Sequence, residues 1–197
     1  LNSSFGISLI NSSGNFFINN NLTGSTSEGI NLQNSNNISF VDNYVYSNSV
    51  GATFIDSLNL NLSRNEIYDS TFEAIQLINI ENSFINYIHN NSQGIFLEYS
   101  QNNAVYNNQM NNIAFEGFTL INSSENIFQS NNFNSTGYVV LFIYSDNNYF
   151  YNETLESGTT YVLRSNNSIN TFQDSFINSI NTAEFLEDGN ITFVNCS

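Results

Sequence analysis

The side chains that could carry acid–base or nucleophilic chemistry are few and widely separated in this chain. The 197 residues include 17 Asp and Glu, one His, and only two basic residues, both Arg. A polysaccharide lyase needs a basic group beside carboxylates, and a glycoside hydrolase needs two carboxylates at a defined separation. Neither constellation stands out by spacing. The sequence therefore predicts a protein that is not an enzyme and has no catalytic, cofactor or metal site.

The two arginines and the histidine each have a structural interpretation. Arg64 falls one repeat after Asp42, so an ion pair between neighbouring turns is expected, with little effect on stability at a surface. Arg164 lies several repeats further on. His89 stands in a polar run and has no Ser or Cys partner identifiable by spacing, which favours a solvated turn residue over a catalytic base.

Three glutamates form the best candidate for a metal site. Glu28, Glu73 and Glu116 each precede the small residue that opens a repeat, but they belong to alternate repeats. Two turns of a stacked strand structure separate such residues by roughly 10 Å. That distance is too large for one Ca²⁺, whose ligands lie at about 2.3–2.6 Å, so no metal is predicted.

The elements that position these residues come from an internal repeat of 20–23 residues. The second apolar residue of each copy marks the period: Leu9, Leu32, Phe54, Leu77, Leu97, Leu120, Phe142 and Leu163. Apolar and polar residues alternate over three or four positions within each copy, which is a strand pattern. A fixed period of this length is typical of a solenoid, in which stacked copies bury one another's apolar sides.

The predicted fold is all-β, a single-stranded right-handed parallel β-helix of about nine coils of 20–23 residues. It forms one domain over residues 1–197, as a segment of a longer solenoid or alone. At about 4.8 Å per coil, the rod would be roughly 40 Å long. The pattern also predicts a ladder of stacked polar side chains, made of Asn20, Asn43, Asn65, Asn86, Asn108, Asn131, Glu153 and Ser175.

One repeat carries a resemblance to a known family. The stretch Gly29-Ile30-Asn31-Leu32, followed by Ser35, Asn37, Phe40, Asn43 and Val45, resembles the parallel β-helix repeat family. That family lies within the pectate-lyase-like superfamily and includes NosD-like surface and periplasmic proteins. The resemblance implies the fold for nearly the whole chain. It leaves function open, because this fold hosts lyases, hydrolases, adhesins and structural proteins.

Composition limits the partners and the location. A net charge of −15 argues against nucleic acid and anionic membranes, and no run of 18 apolar residues predicts a membrane span. The acidic, Asn-rich composition favours an extracellular or cell-surface protein. Cys196 is the only cysteine and so forms no disulfide within the chain; a small buried residue is expected there.

Asn-x-Ser/Thr sequences in or near predicted turns are candidates for N-glycosylation. The five best placed are Asn21, Asn90, Asn134, Asn152 and Asn166.

The favoured hypothesis is a non-enzymatic structural or adhesive protein, such as a surface-layer, sheath or filament component that associates by stacking its coils. The alternatives are a carbohydrate-active β-helix (a lyase, hydrolase or tailspike-like depolymerase) and a glycan-binding module. Three or more carboxylates beside the first strand column, with an Arg in reach, would favour an enzyme. Tyr99 and Tyr144 replace a turn Asn, for which partner contact and local packing are equally good explanations.

Overall fold

The repeat folds into a parallel β-helix, as predicted. The computed structural model describes residues 3–86, 93–157, 161–179 and 181–197. Within these ranges the chain forms 25 strands and no helix, and each strand pairs in parallel with its counterpart one turn away. The rod has about eight turns, close to the nine coils expected. Alternating residues of each strand point into the rod, so the short strands share one continuous core.

Two long sheets form two walls of the rod. Sheet A contains nine described strands: β1 (Ile7–Ile10), β4 (Glu28–Gln33), β7 (Val50–Leu58), β10 (Glu73–Glu81), β12 (Gln93–Glu98), β15 (Phe118–Ile121), β18 (Val140–Ile143), β21 (Tyr161–Asn166) and β24 (Asn181–Leu186). Sheet B also contains nine: β2 (Phe16–Ile18), β5 (Ser39–Val41), β8 (Asn61–Ser63), β11 (Phe84–Asn86), β13 (Ala104–Tyr106), β16 (Ile127–Gln129), β19 (Tyr149–Tyr151), β22 (Ile169–Gln173) and β25 (Asn190–Val194).

The third wall is divided into two smaller sheets. Its first part contains β3 (Asn21–Thr23), β6 (Tyr44–Tyr46) and β9 (Glu66–Tyr68). Its second part contains β14 (Gln109–Ile113), β17 (Asn132–Ser135), β20 (Thr154–Ser157) and β23 (Phe176–Asn178).

The core consists of stacked columns of identical or similar side chains. The predicted column of Leu32, Phe54, Leu77, Leu97 and Leu120 is buried throughout, with no member more than 1% exposed. Sheet B contributes a column of aromatic rings, in which Phe150 stacks between Phe128 and Phe172 with centroid distances of 4.3 and 4.4 Å. Stacked rings at these distances add attraction beyond simple burial.

The predicted period is wrong at its last step. Phe142 pairs with Ser165, and Leu163 pairs with Val140 two positions earlier. The segment before Ser165 contains consecutive apolar residues, so hydrophobicity alone fits two registers. Backbone pairing selects the register that buries Ser165, whose hydroxyl donates to the carbonyl of Ser168 at 3.2 Å.

Polar side chains close the corners of the rod as ladders. The amide of Asn43 donates to Asn65, and that of Asn108 donates to Asn131, both at 2.9 Å. Asn86 is not part of this ladder, which corrects the prediction: it pairs with Tyr106 inside sheet B. The prediction took the nearest Asn in a repeat that is shorter than its neighbours. A second ladder, missed from the sequence, runs through Asn103, Asn126, Asn148 and Asn170.

Close packing between turns explains the small residues that open the repeats. A Cβ atom at Gly94 would lie 1.8 Å from the carbonyl oxygen of Gly117 in the next turn. Neighbouring backbones therefore touch where the chain enters sheet A, and glycine is required there for close approach.

Candidate functional site

The outer face of sheet A brings the predicted glutamate column into a cleft. Glu73 pairs with Gln93, and the amide of Gly94 donates to the carbonyl of Glu116 at 2.9 Å. Glu73, Gln93 and Glu116 therefore occupy equivalent positions in three successive turns. The two carboxylates lie two turns apart, roughly 10 Å, as the sequence predicted. Glu28 occupies the same column two turns before Glu73, and it pairs with Val50 in the turn between them.

The cleft between these carboxylates has a volume of about 170 Å³. It is lined by Glu73, Gln93, Phe96, Glu116, Thr119 and Leu141. Strand alternation explains the lining, because the neighbours of Phe96 in β12, Ile95 and Leu97, point into the core. The result is a surface cleft with two acids at its edge, an amide between them and an apolar floor.

A second cluster lies further along the same face. The Nε of Arg164 is 3.1 Å from Oε2 of Glu184, and the hydroxyl of Tyr138 donates to that oxygen at 2.9 Å. The guanidinium carbon lies 5.3 Å from the centroid of the Tyr138 ring, within reach of a cation–π contact. Sequence reasoning missed this cluster, although Arg164 and Glu184 share a column once the register of β21 is known.

The structure meets only part of the criterion set for an enzyme, a cluster of three or more carboxylates with an Arg in reach. The outer face of sheet A carries three carboxylates, Glu73, Glu116 and Glu184, together with Arg164. They form two neighbouring groups along the rod. The three carboxylates are not one cluster, because Glu184 lies three turns beyond Glu116 and is paired with Arg164.

The other predicted interactions lie away from this face. Arg64 and Asp42 form the expected ion pair between turns, with Nε–Oδ1 and Nη2–Oδ2 distances of 2.7 and 2.8 Å. The hydrogen bond from Arg64 holds the pKa of Asp42 below its usual value. Both side chains are exposed, and the pair lines a separate surface cleft beside Tyr44 and Glu66. His89 lies outside the described residues.

One buried acid belongs to a ladder and to neither cleft. Glu153 is 1% exposed and accepts hydrogen bonds at Oε1 from the backbone and side-chain nitrogens of Asn131, at 3.3 and 3.0 Å. Its Oε2 is buried and has no hydrogen-bond partner. Burial raises the pKa of Glu153 well above that of an ordinary carboxyl group, although the bonds from Asn131 oppose the shift.

Four of the five candidate glycosylation sites are described. Asn21 and Asn134 are exposed in strands, whereas Asn152 is exposed in a turn with a φ of 53°. Asn166 is half-buried at the end of β21, and its side-chain oxygen is buried. Asn90 lies outside the described residues. Asn21 begins β3 and Asn166 ends β21, so both lie beside turns. Glycosylation stays a prediction.

The stacked parallel sheets define the class of protein, the parallel β-helices. The chain belongs to the NosD family, whose model, described as "Periplasmic copper-binding protein (NosD)", matches residues 6–191. The predicted resemblance is thereby confirmed. No curated protein matches the chain in sequence.

Solved structures with a similar fold are carbohydrate-active proteins. The periplasmic alginate epimerase AlgG is 17% identical, with a TM-score of 0.70 over 90% of this chain and 54% of its own. The Azotobacter vinelandii mannuronan C-5 epimerase AlgE4 A-module is 10% identical, with a TM-score of 0.71 over 90% and 59%. The enzymatically active domain of bacteriophage CBA120 tailspike protein 2 is 10% identical, with a TM-score of 0.67 over 98% and 36%. This chain therefore spans about half the length of the epimerases it matches.

These comparisons correct the prediction of a protein that is not an enzyme. The similar structures are carbohydrate-processing enzymes, and the carbohydrate-active alternative is better supported than a structural role. A surface-layer, filament or adhesin role gains no support from them. The sequence placed Glu73 and Glu116 in one column about two turns apart, but it weighed them only as ligands of a metal and not as a pair of acids beside a cleft.

The copper in the family description does not fit the described side chains. Cu binding favours imidazole, thiolate and thioether ligands. Met110 is fully buried in the core, and Cys196 is half-buried in the last turn, where its thiol lies 3.5 Å from the carbonyl oxygen of Phe172. Across the described parts of the chain, no three His, Cys, Asp or Glu side chains converge on a metal position.

The names of the family and of AlgG place those proteins in the periplasm. This agrees with a secreted or envelope location for the chain. The narrower prediction of a cell-surface protein stays a prediction. No helix in the described ranges is long and apolar enough to cross a membrane.

Proposed function

We propose that this protein hydrolyses glycosidic bonds of a neutral polysaccharide in the cleft on the outer face of sheet A. The observation that carries the proposal is the pair Glu73 and Glu116, placed on either side of Gln93 at the edge of one cleft. The alginate and mannuronan epimerases that share the fold support a polysaccharide as the class of substrate.

The separation of the two acids suits one type of hydrolysis. Inverting glycosidases hold their carboxyl groups about 6.5–9.5 Å apart to leave room for water, whereas retaining enzymes need about 5–5.5 Å. Two turns of the rod separate the backbone positions of Glu73 and Glu116 by roughly 10 Å. Side chains that turn towards each other bring the two carboxyl groups into the inverting range. One carboxyl group then protonates the leaving oxygen while the other, as a carboxylate, activates the water. Phe96 supplies an apolar surface for a sugar ring and Gln93 supplies hydrogen bonds to hydroxyl groups.

Charge favours a neutral glycan over a polyuronate. The chain carries a net charge of −15, so a polyanionic substrate meets long-range repulsion. Processing a uronic acid also needs a cation to neutralise its carboxylate. Arg164 on this face already pairs with Glu184 and lies over Tyr138. The two epimerases that share the fold therefore support a polysaccharide as the class of substrate but do not indicate which polysaccharide this chain uses.

Reducing-end release from neutral polysaccharides tests this function. Glu73→Gln and Glu116→Gln should each lower kcat/KM about a hundredfold or more, because each removes a general acid or base. Glu28→Gln is the matched control, since Glu28 occupies the same column outside the cleft and should leave the rate unchanged. Equal rates for all three variants, or no product above a heat-inactivated sample, would contradict the proposal.

A further inference from the structure

Two exposed tyrosines stand at one edge of sheet A, away from the cleft. Tyr99 follows β12 and is 55% exposed, and Tyr144 follows β18 and is 54% exposed. Local packing, one of the two explanations left open by the sequence, leaves more than half of each residue's surface in solvent. Six residues of strand separate Gln93 from Tyr99, roughly 20 Å. The tyrosines therefore lie outside the reach of a sugar ring bound between Glu73 and Glu116.

The backbone conformation at both tyrosines disfavours an aromatic residue. Tyr99 and Tyr144 have φ values of 50° and 51°. The equivalent residue of every other turn has a positive φ as well, and these residues are Asn11, Asn34, Asp56, Asn79, Asn122, Asn167 and Glu187. Asn and Asp tolerate this region, whereas a bulky side chain there is an outlier. Folding alone would favour Asn at both positions, so the rings indicate a role in binding.

The spacing of the two rings matches a repeating ligand. Asn122 occupies the turn between them, since the amide of Tyr99 donates to Ile121 and the amide of Asn122 donates to Ile143. The tyrosines are therefore two turns apart, roughly 10 Å along the rod. This length is comparable to a disaccharide unit of an extended polysaccharide. Rings that stack on alternate sugars, with an amide between them for hydroxyl groups, form a typical carbohydrate surface.

We infer that Tyr99, Asn122 and Tyr144 form a second glycan-binding site, which holds an extended neutral polysaccharide lengthwise along the edge of the rod. The choice of a glycan as the occupant rests on the proposed function. The net charge of −15 favours a neutral chain here too, because stacking on tyrosine needs no counter-charge whereas a polyanion would be repelled. This site anchors the polysaccharide, and the cleft on sheet A acts on it.

Co-sedimentation with insoluble cellulose, mannan and starch granules tests the site. The unmodified protein should bind at least one of these polysaccharides. Tyr99→Asn and Tyr144→Asn should each weaken that binding about fivefold, and the double variant about twentyfold, through loss of ring stacking. Both substitutions install Asn, which five of the seven other turns carry at this position, so the thermal midpoint should stay the same or rise. Loss of binding without loss of stability separates this role from a structural one.

Two controls make the outcomes distinct. Tyr44→Asn removes a tyrosine that is 46% exposed on another wall and should leave binding unchanged. Glu73→Gln should lower hydrolysis about a hundredfold or more and keep binding. If the unmodified protein binds a polysaccharide but hydrolyses none, the tyrosine site stands and the proposed function is removed. The inference is overturned if the unmodified protein binds none of the three polysaccharides, if the double variant binds normally, or if Tyr44→Asn has the same effect.

Discussion

At the scale of single residues, Glu153 makes its ladder sensitive to pH, because it stands where the preceding turns carry Asn131 and Asn108. The neighbouring ladder residue Asn131 donates its amide to the carbonyl oxygen of Val105 at 3.0 Å. Glu153 has a carboxyl oxygen where an amide nitrogen would stand, and that oxygen is buried without a partner. A protonated carboxyl group can donate as the amide does, whereas a carboxylate cannot. The ladder therefore holds Glu153 best in its neutral form.

Glu153→Gln should change how stability depends on pH. Burial raises the pKa of Glu153 in the folded state above the unfolded value of 4.5, so the native state binds the proton more tightly. The stabilisation is complete below that unfolded value and is lost as pH rises towards the folded pKa. Urea unfolding should show the unmodified protein losing stability over this window, and Glu153→Gln should be the more stable form above it. An identical pH profile for both proteins would contradict this assignment.

At the scale of the repeated element, each turn depends on its neighbours for burial. Leu77→Ala removes a fully buried side chain from the middle of the sheet A column, between Phe54 and Leu97. We expect a loss of about 2–5 kcal/mol in the free energy of unfolding, because a cavity remains between turns that cannot close. Leu58→Ala, at a side chain that is 40% exposed, is the control and should cost far less. Denaturant titration measures both, and equal losses would show that the column is not the core.

The same element shows what the sequence can and cannot predict. The period places Leu32 and Leu120 in one column because identical side chains recur at that interval. The sequence assigned the wrong register where the length of the repeat changes. It placed Leu163 in the column of Phe142 by hydrophobicity, whereas backbone pairing places Ser165 there. It placed Asn86 in the Asn ladder by residue type alone, whereas Asn86 pairs with Tyr106 inside sheet B. The contact of Tyr138 with Glu184 spans 46 residues. Side chains that meet across two turns become visible only when the register is fixed.

At the scale of the whole molecule, charge and shape determine which ligands can approach. A rod with a net charge of −15 repels polyanions at long range, and salt screens that repulsion. Binding of a neutral polysaccharide should therefore change little between about 20 mM and about 0.5 M salt. Co-sedimentation across this range checks it, and a steep fall with added salt would indicate an electrostatic mode of binding instead. Association of the rods by stacking stays a prediction.

Stacking places Glu73 and Glu116, the proposed catalytic pair, two turns apart. The most direct measurement is the anomeric configuration of the first product released from a neutral polysaccharide, followed by proton NMR before mutarotation. The spacing of the two acids predicts inversion relative to the bond cleaved, and no product from Glu73→Gln or Glu116→Gln. A product of retained configuration, or an unsaturated sugar, would contradict this account of the site.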